Sequence, residues 1–126
     1  MSETLPEWDV IAAAELADGV AREFAVGDEV WPIKGFVLRS NDRLFAWLNR
    51  CPHAGHALNL DLDDFYTPDG DYLRCMSHGA LFEPDTGLCV AGPCLNKTLT
   101  SLMCREEGGR VLVRAPASMR DIDTLL

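Results

Sequence analysis

Turn signals divide most of this chain into short apolar runs. "ADG" at 17–19, "GD" at 27–28 and "SND" at 40–42 separate segments rich in β-branched and aromatic residues. These segments predict strands at 7–13, 21–26, 29–40 and 43–49. Turns at intervals of about 10 residues, with no long helical period, predict an all-β fold, either an antiparallel β-sandwich or a small barrel.

The C-terminal part of the chain continues the β pattern. Residues 98–116 predict two strands joined at the turn Glu106–Gly109, as in a hairpin. Two segments depart from it. "AAAELADG" at 12–19 predicts a single helical turn before its final glycine, and the tail 118–126 predicts either a short helix or a fraying end.

Length and composition predict one globular domain, residues 1–126. A chain of 126 residues can just bury a sufficient core, and its 48% hydrophobic and 25% charged content is ordinary for a globular protein. No segment approaches the run of about 18 apolar residues that spans a bilayer. Since Met1–Asp9 is acidic and polar, the sequence predicts no export signal and a cytoplasmic location.

The charge balance limits the partners. Eleven Lys and Arg against 20 Asp and Glu give a net charge of -9, which disfavours nucleic acid and anionic membrane surfaces. Such a surface suits a basic docking partner, but it also suits a protein that is merely kept soluble by its charge. Both interpretations remain open.

Candidate metal ligands are concentrated in one part of the chain. Residues 49–87 contain all 3 histidines and 2 of the 5 cysteines. One residue separates Cys51 from His53, and two separate Cys75 from His78. Strand signals thin out from about 49 to 94, where Gly, Pro, Asp and His accumulate, so we expect a site built from loops on a β scaffold.

Two kinds of metal site fit these four side chains. A single zinc ion would take both thiolates and both imidazoles in a tetrahedron. A two-iron, two-sulfide cluster would give both cysteines to one iron and both histidines to the other. The second is favoured, because each loop supplies one ligand of each type, unlike zinc fingers with paired cysteines and paired histidines.

The two loops, "CPHAG" from Cys51 and "CMSHGALFEPDTG" from Cys75, resemble those of the Rieske iron-sulfur proteins. They are most similar to the loops of Rieske-type ferredoxins in ring-hydroxylating dioxygenase systems. The resemblance implies a [2Fe-2S] cluster, with Cys51 and Cys75 on a buried iron and His53 and His78 on an outer, accessible iron. It also implies that Gly92-Pro93 belongs to a third loop that covers the cluster.

The same resemblance implies a function in electron transfer. A Rieske-type ferredoxin passes single electrons between a reductase and a terminal oxygenase, or another oxidoreductase, by transient docking. The sequence shows no nucleotide-binding loop and no nucleophile with a paired base, so we expect no substrate site of its own. Two alternatives remain open: a non-catalytic cluster-bearing subunit or redox sensor, and a zinc-binding interaction module.

Several other residues near the motif carry expectations. His56 is predicted to be an exposed loop residue and not a third histidine ligand, and Cys104 to be a core thiol. Cys89 and Cys94 are predicted to be unbonded packing residues, because disulfides are rare in reducing compartments. The acidic spacer within 61–71 is either a docking loop or a solvated surface loop.

The sequence departs from the high-potential branch of the family at four positions. That branch carries an extra cysteine in each ligand loop, where this chain has His56 and Ser77, and those two cysteines form a disulfide. It also has a serine and a tyrosine that donate hydrogen bonds to the cluster, where this chain has Ala80 and Phe82. The resemblance is therefore to the ferredoxin branch.

These substitutions predict a low reduction potential. With fewer donors, the additional negative charge of the reduced cluster is less stabilised, so we expect a value between roughly -150 and 0 mV. A redox titration followed by visible absorption measures it. A potential near the upper end of the Rieske range would contradict this prediction.

Overall fold

The computed structural model describes residues 5–52 and 55–125, with side chains described up to Ile122. The described chain is nearly all β. Its strands, in order, are β1 Glu7–Ala12, β2 Ala21–Val26, β3 Ile33–Ser40, β4 Arg43–Leu48, β5 Leu73–Arg74, β6 Leu81–Phe82, β7 Cys89–Ala91, β8 Ser101–Leu102, β9 Cys104–Glu107 and β10 Arg110–Arg114.

The strands form three antiparallel sheets. One sheet has the order β1-β10-β9, the second β2-β3-β4-β8, and the third β5-β6-β7. The sheets of the described chain are open and do not close into a barrel. The all-β antiparallel prediction is thus confirmed, and the sandwich-like alternative describes it better than the barrel.

Strand β3 supplies side chains to cores on both faces of its sheet, because neighbouring residues of a strand face opposite sides. Phe36 and Leu38 are buried in the core that also contains Cys51 and Cys75. Val37, between them, is buried in a second core on the other face of the sheet. The Phe36 ring stacks on a phenylalanine from the loop after β4, Phe65, with ring centroids 4.1 Å apart.

The predicted strand boundaries are confirmed within one residue for β1, β2 and β4. The strand predicted at 29–40 was too long at its start, since β3 begins at Ile33. The Asp28 carboxylate accepts the backbone N–H groups of Val30 and Trp31, at 2.8 and 3.2 Å, and so holds this segment in a turn.

The predicted hairpin is confirmed as β9 and β10. Gly108 and Gly109, which connect the strands, both have positive φ, as a tight hairpin turn requires. The residues before β9 do not belong to the hairpin. They form a separate strand, β8, which pairs with β4 in a different sheet.

The helical segments are short. The predicted helical turn is a 3-10 helix, Ala13–Glu15, and the tail contains a second 3-10 helix, Met119–Leu125. No helix in the described part of the chain is long and apolar enough to cross a membrane.

Residues 49–100 form an insertion between two paired strands. Strand β4 precedes the insertion and β8 follows it, and the two pair with Ala46 opposite Leu102. The Leu48 N–H also donates to the Thr100 carbonyl at 2.9 Å, which joins the two ends of the insertion. The third sheet and both predicted ligand loops lie within this insertion, so the larger sheet is the base on which the site is built.

Candidate metal centre

The first ligand loop is fixed by backbone hydrogen bonds around Cys51. The Cys51 N–H donates to the carbonyl of His56 at 2.7 Å, and the Gly55 N–H donates to the Cys51 carbonyl at 2.8 Å. The loop is anchored at its base by Asn49, whose side-chain oxygen accepts the N–H of Leu58 at 2.8 Å. The Cys51 side chain is directed into the core, where only 2% of its surface is exposed.

The second ligand loop repeats this pattern. The Cys75 N–H donates to the Ala80 carbonyl at 2.9 Å, and the Gly79 N–H donates to the Cys75 carbonyl at 2.9 Å. In both loops the backbone of the cysteine therefore forms hydrogen bonds with the backbone of the residues four and five positions later. The loops are joined to each other, because the Met76 N–H donates to the Leu58 carbonyl at 2.8 Å.

The structure brings the two predicted cysteine ligands together. Cys75 is as deeply buried as Cys51, and both lie in the same core. Burial raises the pKa of the Cys75 thiol, and Cys51 raises it further, while the backbone N–H groups of Ser77 and His78 oppose the shift by donating to its sulfur. Two adjacent buried thiolates would repel each other unless a cation lay between them.

The two histidines that the structure describes are exposed, unlike the buried cysteines. His78 is exposed at the tip of the second loop, three residues beyond the buried Cys75. His53 and its neighbour Ala54 fall outside the described residues. His56 is exposed, as predicted. Among the side chains that the structure describes, no three His, Cys, Asp or Glu groups converge on a single ion position.

A third loop lies over the second. Gly92 has a φ of +101° and passes so close to Ala80 that a Cβ at position 92 would lie 2.7 Å from the Ala80 Cα. A glycine is therefore required here both by the backbone conformation and by the lack of space. Cys94 follows two residues later and is buried, with 1% of its surface exposed.

Sequence reasoning missed the proximity of Cys94 to the site. Its sulfur is 3.1 Å from that of Cys89, and it lies in the core that contains Cys51. Burial, together with the neighbouring sulfurs of Cys89 and Cys51, raises the pKa of Cys94 to about 12. Cys89 and Cys94 are not joined by a disulfide, as predicted.

The remaining predictions near the motif are confirmed in part. Ala80 and Phe82 are fully buried, and neither side chain can donate a hydrogen bond. Cys104 is half-buried at the edge of a separate core, and burial raises its pKa to about 11.

The acidic spacer is partly structural. Asp63 accepts the Glu23 N–H at 2.7 Å and lies 3.7 Å from Arg22, so it fixes the spacer to β2. Asp69 accepts the Asp71 N–H at 3.0 Å within a turn. Asp61, Asp64 and Asp71 have exposed side chains, and these three could face a partner.

Comparison with known proteins defines the family. Residues 7–112 match the model of the Rieske [2Fe-2S] domain, so the chain belongs to the Rieske family. A segment of 48 residues is also 44% identical to oxidoreductase NdmD of Pseudomonas putida. That match covers 38% of this chain and only 7% of NdmD, so it relates the chain to one small part of a much larger protein.

Solved structures extend the comparison to the whole fold. A chain in the complex of reduced oxygenase and oxidised ferredoxin of carbazole 1,9a-dioxygenase is 25% identical, with a TM-score of 0.66. The match covers 87% of this chain and 94% of that one. The ferredoxin of carbazole 1,9a-dioxygenase from Nocardioides aromaticivorans is 24% identical, with a TM-score of 0.63 over 87% and 97% of the two chains.

The terminal oxygenase of carbazole 1,9a-dioxygenase from Novosphingobium sp. KA1 contains the same fold in one part of its chain. It is 21% identical, with a TM-score of 0.63, and the match covers 92% of this chain but 33% of the oxygenase. The Rieske fold thus occurs in these structures both as a small separate chain and as part of an oxygenase.

The described residues fit the [2Fe-2S] cluster of the family. Rieske clusters take two cysteines on one iron and two histidines on the other, which keeps the thiols together and the imidazoles apart from them. Here the two thiols are adjacent and buried, one histidine is exposed, and two backbone N–H groups already donate to the Cys75 sulfur. Such N–H donors stabilise the charge of a cluster ligand.

We expect Gly92→Ala to destabilise the centre. A side chain would have to displace Ala80, which costs about 1–3 kcal/mol in addition to the cost of the left-handed backbone. Gly70→Ala is the matched control, because Gly70 has a φ of +78° and nothing within 4 Å of the added Cβ. Urea unfolding and iron content measure both variants. Equal losses would show that the contact with Ala80 is unimportant.

Proposed function

We propose that this chain is a Rieske-type ferredoxin that passes single electrons between a reductase and a terminal oxygenase or another oxidoreductase. The observation that carries the proposal is the burial of two thiols in one core, with an exposed histidine three residues after one of them, in a chain of the Rieske family. Similarity to the ferredoxin of carbazole 1,9a-dioxygenase over 97% of that chain supports a carrier.

The proposed ligands are Cys51 and Cys75 for the inner iron, and His53 and His78 for the outer iron. Burial of Cys51 and Cys75, and the repeated backbone pattern of their loops, support the first pair. His78 is supported by its exposure on the second loop. His53 is proposed from the sequence motif, since it lies outside the described residues.

The residues around the centre have distinct roles in this proposal. When bound, the cluster supplies a site that gains and loses one electron. The core around Cys51 and Cys75 excludes water from the inner iron, and the N–H groups of Ser77 and His78 stabilise negative charge on the Cys75 sulfur. The exposed His78 brings the outer iron close to the surface, which shortens the path of the electron to a partner.

Partner docking is proposed on the surface around His78. Leu95, in the third loop, is 55% exposed and adds apolar surface to that loop. The carboxylates of Asp61 and Asp64 are exposed in the spacer, and the net charge of -9 would steer a basic partner. A small, transient interface suits a carrier that must release one partner before it meets the next.

We also propose that residues 1–126 form a single domain and that the protein acts in the cytoplasm. Five free cysteines support a reducing compartment, because Cys89 and Cys94 are close together without being bonded.

Alanine variants of the four ligands test the proposal. Cys51→Ala, His53→Ala, Cys75→Ala and His78→Ala are each expected to lose the cluster, because each removes one of its four bonds to the protein. His56→Ala is the matched control and is expected to retain it, since His56 is an exposed loop residue. Iron and acid-labile sulfide per chain give the loading, and coulometric titration gives the electrons accepted.

The unaltered protein and the His56 variant should each accept one electron per chain reversibly. Retention of the cluster in a ligand variant would contradict the ligand assignment. A loaded protein that accepts no electron reversibly would contradict the function as a carrier.

A further inference from the structure

A cavity of about 300 Å³ lies beside the first ligand loop. Arg50, Gly55 and Ala57, which flank or belong to that loop, form part of its lining. Pro32, just before β3, and Met119, at the start of the C-terminal 3-10 helix, form another part. A group bound in this cavity would therefore touch the loop that carries Cys51.

The charges that line the cavity are positive. Lys34 and Arg50 both line it and both are exposed, and no Asp or Glu belongs to its described lining. Within the described residues, neither cation takes part in an ion pair. In a chain with a net charge of -9, this is a local site of the opposite sign. Two unneutralised cations at one cavity favour a carboxylate ligand.

Apolar surface continues from the cavity onto the segment before β3. Val30 is 75% exposed and Trp31 is 48% exposed. The Trp31 carbonyl accepts the N–H of Met119, which lines the cavity, at 2.8 Å, so the tryptophan adjoins it. The Arg120 guanidinium lies 5.6 Å from the centre of the Trp31 ring. Exposed tryptophan and arginine side chains are enriched at the energetic centres of protein interfaces.

The two cations are attached to rigid parts of the molecule. Lys34 belongs to β3, and its carbonyl accepts the Asn49 N–H at 3.0 Å, which joins β3 to the start of the insertion. The Arg50 guanidinium lies against the first ligand loop, since a Cβ at Gly55 would lie 3.7 Å from the Arg50 Nε. A backbone fixed in this way lowers the entropic cost of binding a partner.

We propose that this cavity docks an acidic segment of a protein partner, whose carboxylates bind Lys34 and Arg50 and whose apolar side chains cover Trp31. The inference rests on the proposed function, in which the carrier meets two partners in turn. The exposed carboxylates of the spacer fit a basic partner, so a positive surface at the other ligand loop fits a partner of opposite charge. A free small anion would leave the apolar surface at Val30 and Trp31 uncovered, whereas a protein segment would bury it.

A fluorescently labelled peptide, Glu-Leu-Glu-Leu-Glu, tests the proposal by fluorescence anisotropy with the cluster-loaded protein. Lys34→Gln and Arg50→Gln should each weaken its binding about twofold to fivefold, as expected when one exposed ion pair is lost. Arg43→Gln is the matched control and should bind like the unaltered protein. Arg43 is also exposed, but it begins β4 whereas Arg50 follows the end of that strand, and it does not line the cavity. The peptide Glu-Ser-Glu-Ser-Glu should bind more weakly, because it lacks the apolar side chains.

Four results would overturn the proposal. The first is no saturable binding of the leucine peptide, and the second is an equal loss in Arg43→Gln, which would show an effect of net charge alone. The third is displacement of the peptide by free glutarate at the same concentration, since the cavity would then be a site for small anions. The fourth is a dimer of the unaltered protein in sedimentation that Lys34→Glu dissociates, because a second copy would then cover this surface.

The proposed function is tested separately in the same samples. Absence of iron and sulfide from the unaltered protein, or the lack of a reversible one-electron reduction, would contradict the function itself. A loaded carrier that accepts one electron reversibly but does not bind the acidic peptide would contradict only the inference about docking.

Discussion

The contact between two buried thiols, those of Cys51 and Cys75, is the constraint on which the rest of this structure depends. As thiolates they would repel each other strongly in the core, and a metal cation removes that repulsion. The protein prepares the position by holding both cysteines in loops with the same backbone pattern and by aiming two N–H groups at the Cys75 sulfur. In the proposed centre, metal binding and the local fold are therefore coupled.

The scaffold makes this contact possible by closing the insertion at its base. Strands β4 and β8 pair on either side of residues 49–100, so the two ligand loops start from a fixed position on the larger sheet. Alternate residues of β3 fill the cores on both faces of that sheet, and the core on one face extends to the ligand cysteines. The third loop completes the enclosure by resting on Ala80.

The sequence predicted those features that depend on local pattern. Alternating apolar residues and turn signals located β2 and β4, and the spacing of cysteine and histidine indicated the Rieske family, to which the chain belongs. The start of β3 was misplaced because a side chain, Asp28, turns the backbone within an apolar segment. The burial of Cys94 in the core that contains Cys51 could not be predicted, because it depends on how two loops 43 residues apart pack in three dimensions.

The most direct test of the account is the electron paramagnetic resonance spectrum of the dithionite-reduced protein, prepared with nitrogen-15-labelled histidine. The account predicts a single unpaired electron that couples to nitrogen atoms of two histidine ligands, as expected when one iron of the cluster is bound by two imidazoles. A paramagnetic cluster without histidine coupling would show all-cysteine ligation. A colourless protein that contains one zinc and no acid-labile sulfide would also contradict the account.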